Sequence, residues 1–220
     1  GMIYASNLCH EIAQNVGFTD LDEEIIQDDG SIVTRTKAGD MVTCNLNSIN
    51  LGQTSDEELE ENIALQVRML DNVITINQFP VPETRVTSEK YRAIGLGTSG
   101  YHHYLVKHKV QWESDEHLAV ADTLFENIAY AAIKASMELA KEKGAYPAFK
   151  GSQWETGEYF ERRGYTSERW QQLRADVAKY GIRNGYLMAI APTGSTSNIA
   201  NTTAGIDPIF KKFFIEEKKG

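Results

Sequence analysis

Apolar residues recur at helical spacing in several parts of the chain, and the first of these follows Ser55. Ser55 and Glu58, three positions later, have the form of a capping box at a helix start. The apolar positions that then return every three or four residues are Leu59, Ile63, Val67, Leu70 and Ile74. Pro80 and Pro82 cannot continue this helix, so we expect it to end before them.

A longer helix is predicted after Ser114, which can cap it while Asp115 and Glu116 favour its positive end. The apolar residues on its predicted inner face are Leu118, Ala121, Phe125, Ile128, Ala132 and Met137. Gly144 supplies a stop, which gives a helix of about 28 residues. Residues 145–164 show no such period and predict irregular structure.

A shorter helix is predicted near the carboxyl end, capped by Thr166 or Ser167. Its apolar positions are Trp170, Leu173 and Val177. Gly181 is typical of a helix end, so we expect the helix to stop there.

Three apolar runs of strand length alternate with these helices: residues 41–52, 91–100 and 185–192. The polar segment 20–40 carries an Asp-Asp-Gly-Ser turn at 28–31, which predicts a β-hairpin excursion. Strands that alternate with helices favour an α/β fold with parallel strands.

Composition and charge narrow the classes of function. The 220 residues suffice for one large domain or two small ones, and 41% hydrophobic with 24% charged residues is ordinary for a globular protein. The net charge of −9 and the absence of a basic patch argue against direct DNA binding. A backbone cradle can nevertheless hold a phosphorylated small molecule without Lys. With no membrane-length apolar run and no secretion signal, we expect a cytoplasmic protein without membrane association.

Cysteine usage indicates thiol chemistry rather than a disulfide framework, because the only cysteines are Cys9 and Cys44. No CxxC pair is present, and nothing else near the four histidines between positions 102 and 117 looks like a ligand set. We therefore expect no metal site, and histidines that are solvated or locally bonded.

The stretch around Cys9 places an amide and a carboxylate two residues to either side of a thiol. In extended backbone Asn7, Cys9 and Glu11 would share one face. A carboxylate disfavours a thiolate nucleophile because negative charge raises a thiol pKa, and His10 would face away from the thiol. The set suits a neutral thiol that gives up a hydrogen atom beside a carboxylate that accepts a proton. The alternative is a structural cysteine buried in a strand.

A second candidate site is the hydroxyl-rich turn that follows Pro192. Gly allows close backbone approach, and free N–H groups at a helix start favour phosphate. The residues of this turn are Thr193, Gly194, Ser195, Thr196 and Ser197. A ligand would lie outside the carboxyl ends of the parallel strands, where this turn is expected. The alternative is a plain helix-capping cluster. Cys44, in an apolar strand, is either a packing residue or a redox thiol close to Cys9.

Three motifs in this order resemble the large catalytic subunit of ribonucleotide reductase. The first, "SNLCHEI", is similar to the N-x-C-x-E finger loop of that family. The second, "CNLNSINLG", resembles the following strand with one redox cysteine, and the third, "PTGSTSNIANTTAGIDPIF", resembles the phosphate loop. Similarity also extends to "RAIGLGTSGYHHYL" and "ASMELAKEKGAYPAF", so it covers nearly the whole chain.

The resemblance implies a ten-stranded α/β barrel of the type that ribonucleotide reductases share with glycyl radical enzymes, with the finger loop at its centre. Residues 1–220 would be a single domain, the C-terminal and helix-rich half of that barrel. Within it, residues 1–14 would be the finger loop, and residues 20–40 the polar hairpin excursion.

The resemblance also implies a role for each candidate residue. Cys9 would carry a transient thiyl radical that takes the ribose 3′ hydrogen, Glu11 would accept the 3′-hydroxyl proton, and Asn7 would hydrogen-bond the substrate. Cys44 would be one of two thiols that reduce the 2′ position. The residues that would hold the substrate diphosphate are Thr193, Gly194, Ser195, Thr196 and Ser197.

The same resemblance places several parts of the machinery outside this chain. It implies a radical-generating small subunit with a diiron or dimanganese centre, or adenosylcobalamin in a B12-dependent relative, and no cofactor bound here. A thioredoxin or glutaredoxin system would re-reduce the thiols. The second reducing thiol and the regulatory regions of the family precede its finger loop, while its tyrosine pair and tail cysteines follow the region that ends at Gly220.

A half barrel exposes strand edges. We expect the N-terminal half of the large subunit on another chain, a homodimer that covers the edge, or a fragment of a longer protein; Met2 as a true start would indicate a split gene. Two hypotheses for function follow. The chain is part of a reductase that converts ribonucleotides, as diphosphates or triphosphates, to deoxyribonucleotides and is inactive alone, or it is a non-catalytic remnant.

Overall fold

Two small sheets and eight helices make up the part of the chain that the computed structural model describes, residues 3–213 and 215. In chain order they are β1 (Asp20–Ile26), β2 (Ile32–Lys37), β3 (Leu46–Asn50), α1 (Leu59–Ile76), α2 (Pro82–Tyr91), β4 (Gly95–Ser99), α3 (Tyr101–Lys107), α4 (Asp115–Lys143), α5 (Gln153–Thr156), α6 (Glu158–Arg163), α7 (Glu168–Tyr180) and α8 (Gly194–Ile199). No helix in these ranges is both long and apolar enough to cross a bilayer.

The central sheet is parallel, as the alternation of strands and helices predicts. β3 pairs with β4 in register from Leu46 opposite Gly95 onward. On the other side of β4, Met188 forms a parallel bridge with Leu96. The strand predicted over 185–192 is thus reduced to a bridge at Met188.

The described residues confirm an α/β, helix-rich architecture and contain no closed barrel. Three strand positions lie side by side: β3, β4 and the segment around Met188. Within the described chain no strand pairs with the outer edge of β3. A sheet with an open edge is the expected form of part of a barrel.

Helices α1 and α4 pack on each other and on the sheet to form the core. The predicted stripe of α1 is buried throughout. The Ser55–Glu58 capping box forms, with the Glu58 N–H donating to Ser55 Oγ and the Ser55 N–H donating to a Glu58 carboxylate oxygen. Arg68 joins the two helices by a bidentate pair with Glu142.

Helix α4 runs for 29 residues, and Ser114 Oγ caps it by accepting the His117 N–H. Ile128, Ala132 and Met137 are buried as predicted, whereas Leu118 is 66% exposed. The reason is that His117 takes the inward position, where its ring packs between Tyr101 and Trp112.

Three helices depart from the sequence prediction. Helix α1 ends at Ile76, before Pro80 and Pro82 as predicted, but Pro82 then begins the unpredicted α2 at the first position, where a missing N–H costs nothing. Residues 145–164 are not wholly irregular, because they contain α5 and α6, each closed by a glycine at positive φ. Gly157 and Gly164 therefore end two short helices within a segment that the sequence pattern predicts to be irregular.

A buried polar network ties α1 to the segment that leads into the third strand position. Asp71 is 0% exposed. Its carboxylate accepts Arg92 Nε at 2.8 Å, Arg183 Nε at 3.2 Å, Asn184 Nδ2 at 3.2 Å and Lys143 Nζ at 3.4 Å. Burial opposes ionisation, but the hydrogen bond and charge of Arg92, with Arg183 and Lys143, hold the pKa of Asp71 below its usual value.

The excursion forms an antiparallel hairpin of β1 and β2, in which Ile26 pairs with Ile32 next to the turn at Gly30. Every residue of both strands is exposed. A two-stranded hairpin has little stability of its own in water. The position of this hairpin relative to the rest of the domain therefore depends on the contacts at its base.

Candidate active site

The finger segment turns sharply at Cys9 rather than running extended. The His10 N–H donates to the Asn7 carbonyl at 3.2 Å, and His10 lies at a φ of 65°. The prediction that alternation in an extended strand brings Asn7, Cys9 and Glu11 to one face is therefore wrong. Asn and Gly favour such turns, and an i to i+3 bond breaks the two-residue period.

The turn is closed by side-chain bonds to the backbone. Asn7 Oδ1 accepts the Ile12 N–H at 2.9 Å, and Ser6 Oγ donates to the Ile12 carbonyl at 2.6 Å. Leu8 stands at the tip and is 94% exposed. Asn7 thus helps to close the turn, which is a structural role separate from its predicted contact with a substrate.

Ile12 fixes the finger segment to the sheet. It is buried, and its side chain lies against Gly95 at the start of β4. A Cβ at position 95 would overlap the Leu46 side chain and crowd Ala189, so only glycine allows this close approach. The finger segment therefore crosses the amino-terminal end of the parallel sheet.

Cys44 does not lie in the predicted strand. β3 begins at Leu46, and Cys44 occupies the extended segment two residues before it, with an exposed side chain. Asn45, between them, donates from its side chain to the Leu70 carbonyl and so anchors this segment on α1.

The structure brings the finger turn and Cys44 together. Partial burial is the main cause that raises the pKa of Cys44, and Glu11 and Cys9 add to it, against a hydrogen bond from Asn7 that lowers it. These three residues of the turn therefore lie close enough to Cys44 to act on its thiol. A thiol with a raised pKa is a poor nucleophile and stays protonated near neutrality.

Glu11 contributes a carboxylate oxygen that is buried and has no hydrogen-bond partner within the described chain. Buried carboxylate oxygens are normally paired, because an unpaired one costs desolvation energy. An oxygen in this condition is ready to accept a hydrogen bond from a molecule that enters the site.

The hydroxyl-rich turn forms the start of α8, a helix of six residues. Thr193 and Ser197 are buried and bonded inside the chain: Ser197 Oγ donates to Thr193 Oγ1 at 2.9 Å, and the Gly205 N–H donates to Thr193 Oγ1 at 2.8 Å. Gly194, Ser195 and Thr196 are exposed. The five predicted residues thus divide into an inner pair that shapes the turn and three that face outward.

The segment after α8 is fastened to the carboxyl ends of β3 and β4. Thr202 Oγ1 hydrogen-bonds His103 Nδ1 at 3.0 Å, and the Gly100 N–H donates to the Thr203 carbonyl at 2.7 Å. His102 Nδ1 accepts the Ile209 N–H. His102 and His103 are thus bonded to a segment about 100 positions further along the chain. Residues 3–213 and 215 contain no group of three or more His, Cys, Asp or Glu that could hold a metal ion.

Sequence reasoning missed His103 and Asn50 as supports of this turn; Asn50 Nδ2 donates to the Ala200 carbonyl at 3.3 Å. No sequence signal could have found them, since their partners lie about 100 and 150 positions away. Such contacts follow from the parallel sheet, which gathers its carboxyl ends at one edge.

The fold and the site together define an α/β domain in which a protonated thiol and a carboxylate meet at one end of a parallel sheet and a hydroxyl-rich turn stands at the other. Comparison with known families identifies this combination. The family model described as ribonucleotide reductase, barrel domain, matches residues 1–220, and the chain belongs to that family.

Similar proteins carry the corresponding name. The chain is 56% identical to the ribonucleoside-diphosphate reductase subunit alpha of Treponema pallidum, over 100% of this chain and 27% of the relative. It is 37% identical to the protein of that name from Helicobacter pylori, over 99% of this chain and 34% of the relative. The protein of that name from Bacillus subtilis is 32% identical, over 97% of this chain and 32% of the relative. The chain thus spans about a third or less of these relatives.

Proposed function

We propose that the chain carries the thiyl-radical part of a ribonucleotide reductase active site and reduces ribonucleotides to deoxyribonucleotides once the rest of the α subunit is present. The observation that carries this proposal is the buried, unpartnered oxygen of Glu11 in the turn that holds Cys9, close enough to Cys44 for burial and the Glu11 carboxylate to raise the pKa of that thiol. A protonated thiol can transfer hydrogen, which a thiolate cannot.

In the first step, a thiyl radical at Cys9 takes the hydrogen atom from ribose C3′, so that an S–H bond forms and the C3′–H bond breaks. Glu11 accepts the proton of the 3′ hydroxyl. Its buried oxygen without a partner supports this role, because a substrate hydroxyl would supply the missing hydrogen bond.

In the second step, the 2′ hydroxyl leaves as water. Cys44 and a second thiol, which the remainder of the subunit would supply, provide two electrons and two protons and become a disulfide. Cys9 then returns a hydrogen atom to C3′ and becomes a thiyl radical again, while Glu11 returns the proton to the 3′ oxygen. A thioredoxin or glutaredoxin system reduces the disulfide for the next turnover.

The phosphates of the substrate would lie at the turn before α8. The exposed Gly194, Ser195 and Thr196 would contact them through backbone N–H groups and hydroxyls, with Thr193 and Ser197 holding the turn. Because this turn follows the third strand position and Cys44 precedes β3, the nucleotide would lie along the strands with its ribose toward the thiols.

The missing parts would come from other chains or chain segments. The remainder of the subunit would pair with the open edge of β3, and a second copy of this chain is the other candidate for that edge. A radical-generating small subunit with a diiron or dimanganese centre, or adenosylcobalamin, would oxidise Cys9.

The test combines this chain with the remainder of a related α subunit and its radical source, and measures deoxynucleotide formation from ribonucleoside diphosphates. We expect product with the wild-type chain and with the hairpin-turn control Asp29→Ala, and none with Cys9→Ala or Cys44→Ala. Product from Cys9→Ala, or no product from any combination, would overturn the proposal.

A further inference from the structure

The hairpin excursion is closed at its base by two chain segments that lie side by side. Asp40 N–H donates to the Gly17 carbonyl at 2.9 Å, and Asp40 Oδ2 accepts the Gly17 N–H at 2.9 Å. One position further out, the Gly39 N–H donates to Thr19 Oγ1 at 3.0 Å. We name these four residues, Gly17, Thr19, Gly39 and Asp40, the clasp.

Close backbone contact makes the clasp specific. A Cβ at position 39 would overlap the Gly17 carbonyl and the backbone of Phe18 and Thr19. Only a glycine permits the two segments to approach so closely. Replacement of Gly39 would therefore separate them whatever the new side chain.

The clasp is fastened to the end of α2 through the Asp40 carboxylate, whose side chain is only 5% exposed. Lys90 Nζ donates to Oδ1 at 2.8 Å, and Tyr91 OH donates to Oδ2 at 3.3 Å. Burial opposes the charge of Lys90, yet hydrogen bonds with Asp40 and Tyr91 raise its pKa. Together with the Gly17 N–H, these donors give the Asp40 carboxylate three hydrogen bonds, which hold it in one position.

Tyr91 also contacts the chain just after the finger loop, at Asn15. Asn15 Nδ2 donates to Tyr91 OH at 3.4 Å, and the Asn15 N–H donates to Tyr186 OH at 3.1 Å. The rings of Tyr91 and Tyr186 meet edge to face at 6.0 Å. Tyr91 thus connects the chain just before the clasp with the chain at its end.

The clasp lies between the two thiols. Cys9 precedes it and Cys44 follows it, and the two are 35 residues apart along the chain. Across the Gly17–Asp40 contact the connecting path is roughly a third as long. For freely moving segments, loop-closure entropy gives an effective concentration of one thiol at the other about fivefold higher with the clasp than without it, and the anchors at Ile12 and Asn45 make this the upper limit.

We propose that Asp40 is a positioning residue, which through the clasp sets the Cys44 thiol against Cys9 and Glu11, and that the hairpin beyond the clasp is not needed for this. The catalytic meaning of this placement rests on the proposed function, whereas the placement itself is a property of the chain. The residue acts through the thiols and touches no substrate.

Bridging of the thiols by a short bis-maleimide tests the proposal, because Cys9 and Cys44 are the only cysteines. Mass spectrometry of the 220-residue chain measures the ratio of bridged protein to protein that carries two separate reagents. We expect Asp40→Ala to lower this ratio measurably, by at most about fivefold. The matched control is Asp29→Ala, at the exposed turn of the same hairpin, and it should leave the ratio unchanged.

Two further variants keep the test decisive if Asp40→Ala fails to fold by circular dichroism. Tyr91→Phe removes the hydroxyl that contacts Asp40 and Asn15 and should lower the ratio less than Asp40→Ala does. Replacement of residues 22–35 by Asn-Gly keeps the clasp and should leave the ratio as in the wild type. A ratio unchanged by Tyr91→Phe and lowered by the hairpin replacement would overturn the proposal.

The bridging assay separates this proposal from the proposed function, because it requires no turnover. A lowered ratio in Asp40→Ala, together with product from Cys9→Ala, would support the clasp and refute the reductase mechanism. An unchanged ratio in folded Asp40→Ala, with Cys9→Ala inactive, would refute the clasp alone.

Discussion

The network around Asp71 and the thiol site around Cys44 both gather charged and polar groups, but they differ in how completely those groups are paired. Four donors surround the Asp71 carboxylate, and each belongs to the chain itself. At the thiol site one Glu11 oxygen is buried without a hydrogen-bond partner among the described residues, and burial with the nearby Glu11 carboxylate raises the pKa of Cys44. A saturated network stabilises a fold, whereas unsatisfied groups at a surface await a ligand.

The largest expected effect is on stability and comes from Asp71→Ala. Removal of the carboxylate leaves Arg92 and Arg183 buried without their counter-charge, so we expect a loss of about 3–5 kcal/mol in the free energy of unfolding. Urea denaturation measures it. The control is Asp122→Ala, on the exposed side of α4. A small loss with Asp71→Ala would mean that the network does not stabilise the fold.

Acid should weaken the same network. Because the pKa of Asp71 is lower in the folded chain than its ordinary 3.8, its contribution to stability is present above pH 3.8 and is lost as the pH falls through the folded-state pKa. The slope for one proton is at most about 1.4 kcal/mol per pH unit. Urea unfolding between pH 2 and 5 checks this, and Asp71→Asn should remove this part of the slope.

A smaller loss is expected from Ser136→Ala. Ser136 Oγ donates to Asn184 Oδ1 at 2.8 Å and accepts the Asn184 N–H at 3.0 Å, so its removal leaves two buried groups unpaired. We expect a cost of about 1–3 kcal/mol by urea denaturation. Ser167→Ala is the matched control, since that side chain makes no capping bond. Equal losses in the two variants would contradict the interpretation.

The smallest effect is on the thiol site and concerns a pKa rather than stability. Glu11→Gln removes a negative charge that raises the pKa of Cys44, so alkylation of Cys44 should begin at lower pH in this variant. Asn7→Ala removes a hydrogen bond that lowers the pKa and should shift alkylation in the opposite direction. Iodoacetamide rates from pH 7 to 10, followed by peptide mass spectrometry, measure both; identical profiles would show that the two groups do not act on the thiol.

Local features of the fold were predictable from the sequence, and long-range ones were not. The stripe of α1 and the Ser114 cap of α4 follow from residues within a few positions of each other. The Asp71 network joins positions 21 to 113 residues apart, and no local pattern marks it. Pro82 shows the limit of a local rule, because a proline that cannot continue one helix is well suited to begin the next.

For the site, the motif resemblance pointed to Asn7, Cys9, Glu11 and Cys44, while the extended backbone expected for the first three was wrong. They lie in a turn closed by Ser6 and Asn7, which the two-residue period did not foresee. The position of this turn relative to Cys44 depends on contacts that are distant in sequence, such as those of Lys90 and Tyr91 with Asp40, about 50 residues away. Proximity of that kind is a property of the tertiary fold.

The hairpin offers a practical opening. Its strands are exposed along their whole length, its turn at Asp28–Gly30 projects from the body, and its two ends are joined where they leave it. A fluorophore or an affinity peptide inserted in that turn would sit outside the cooperative unit of the domain. Capture of the chain through such a handle, together with whatever assembles on it, would leave the thiols and the open sheet edge accessible.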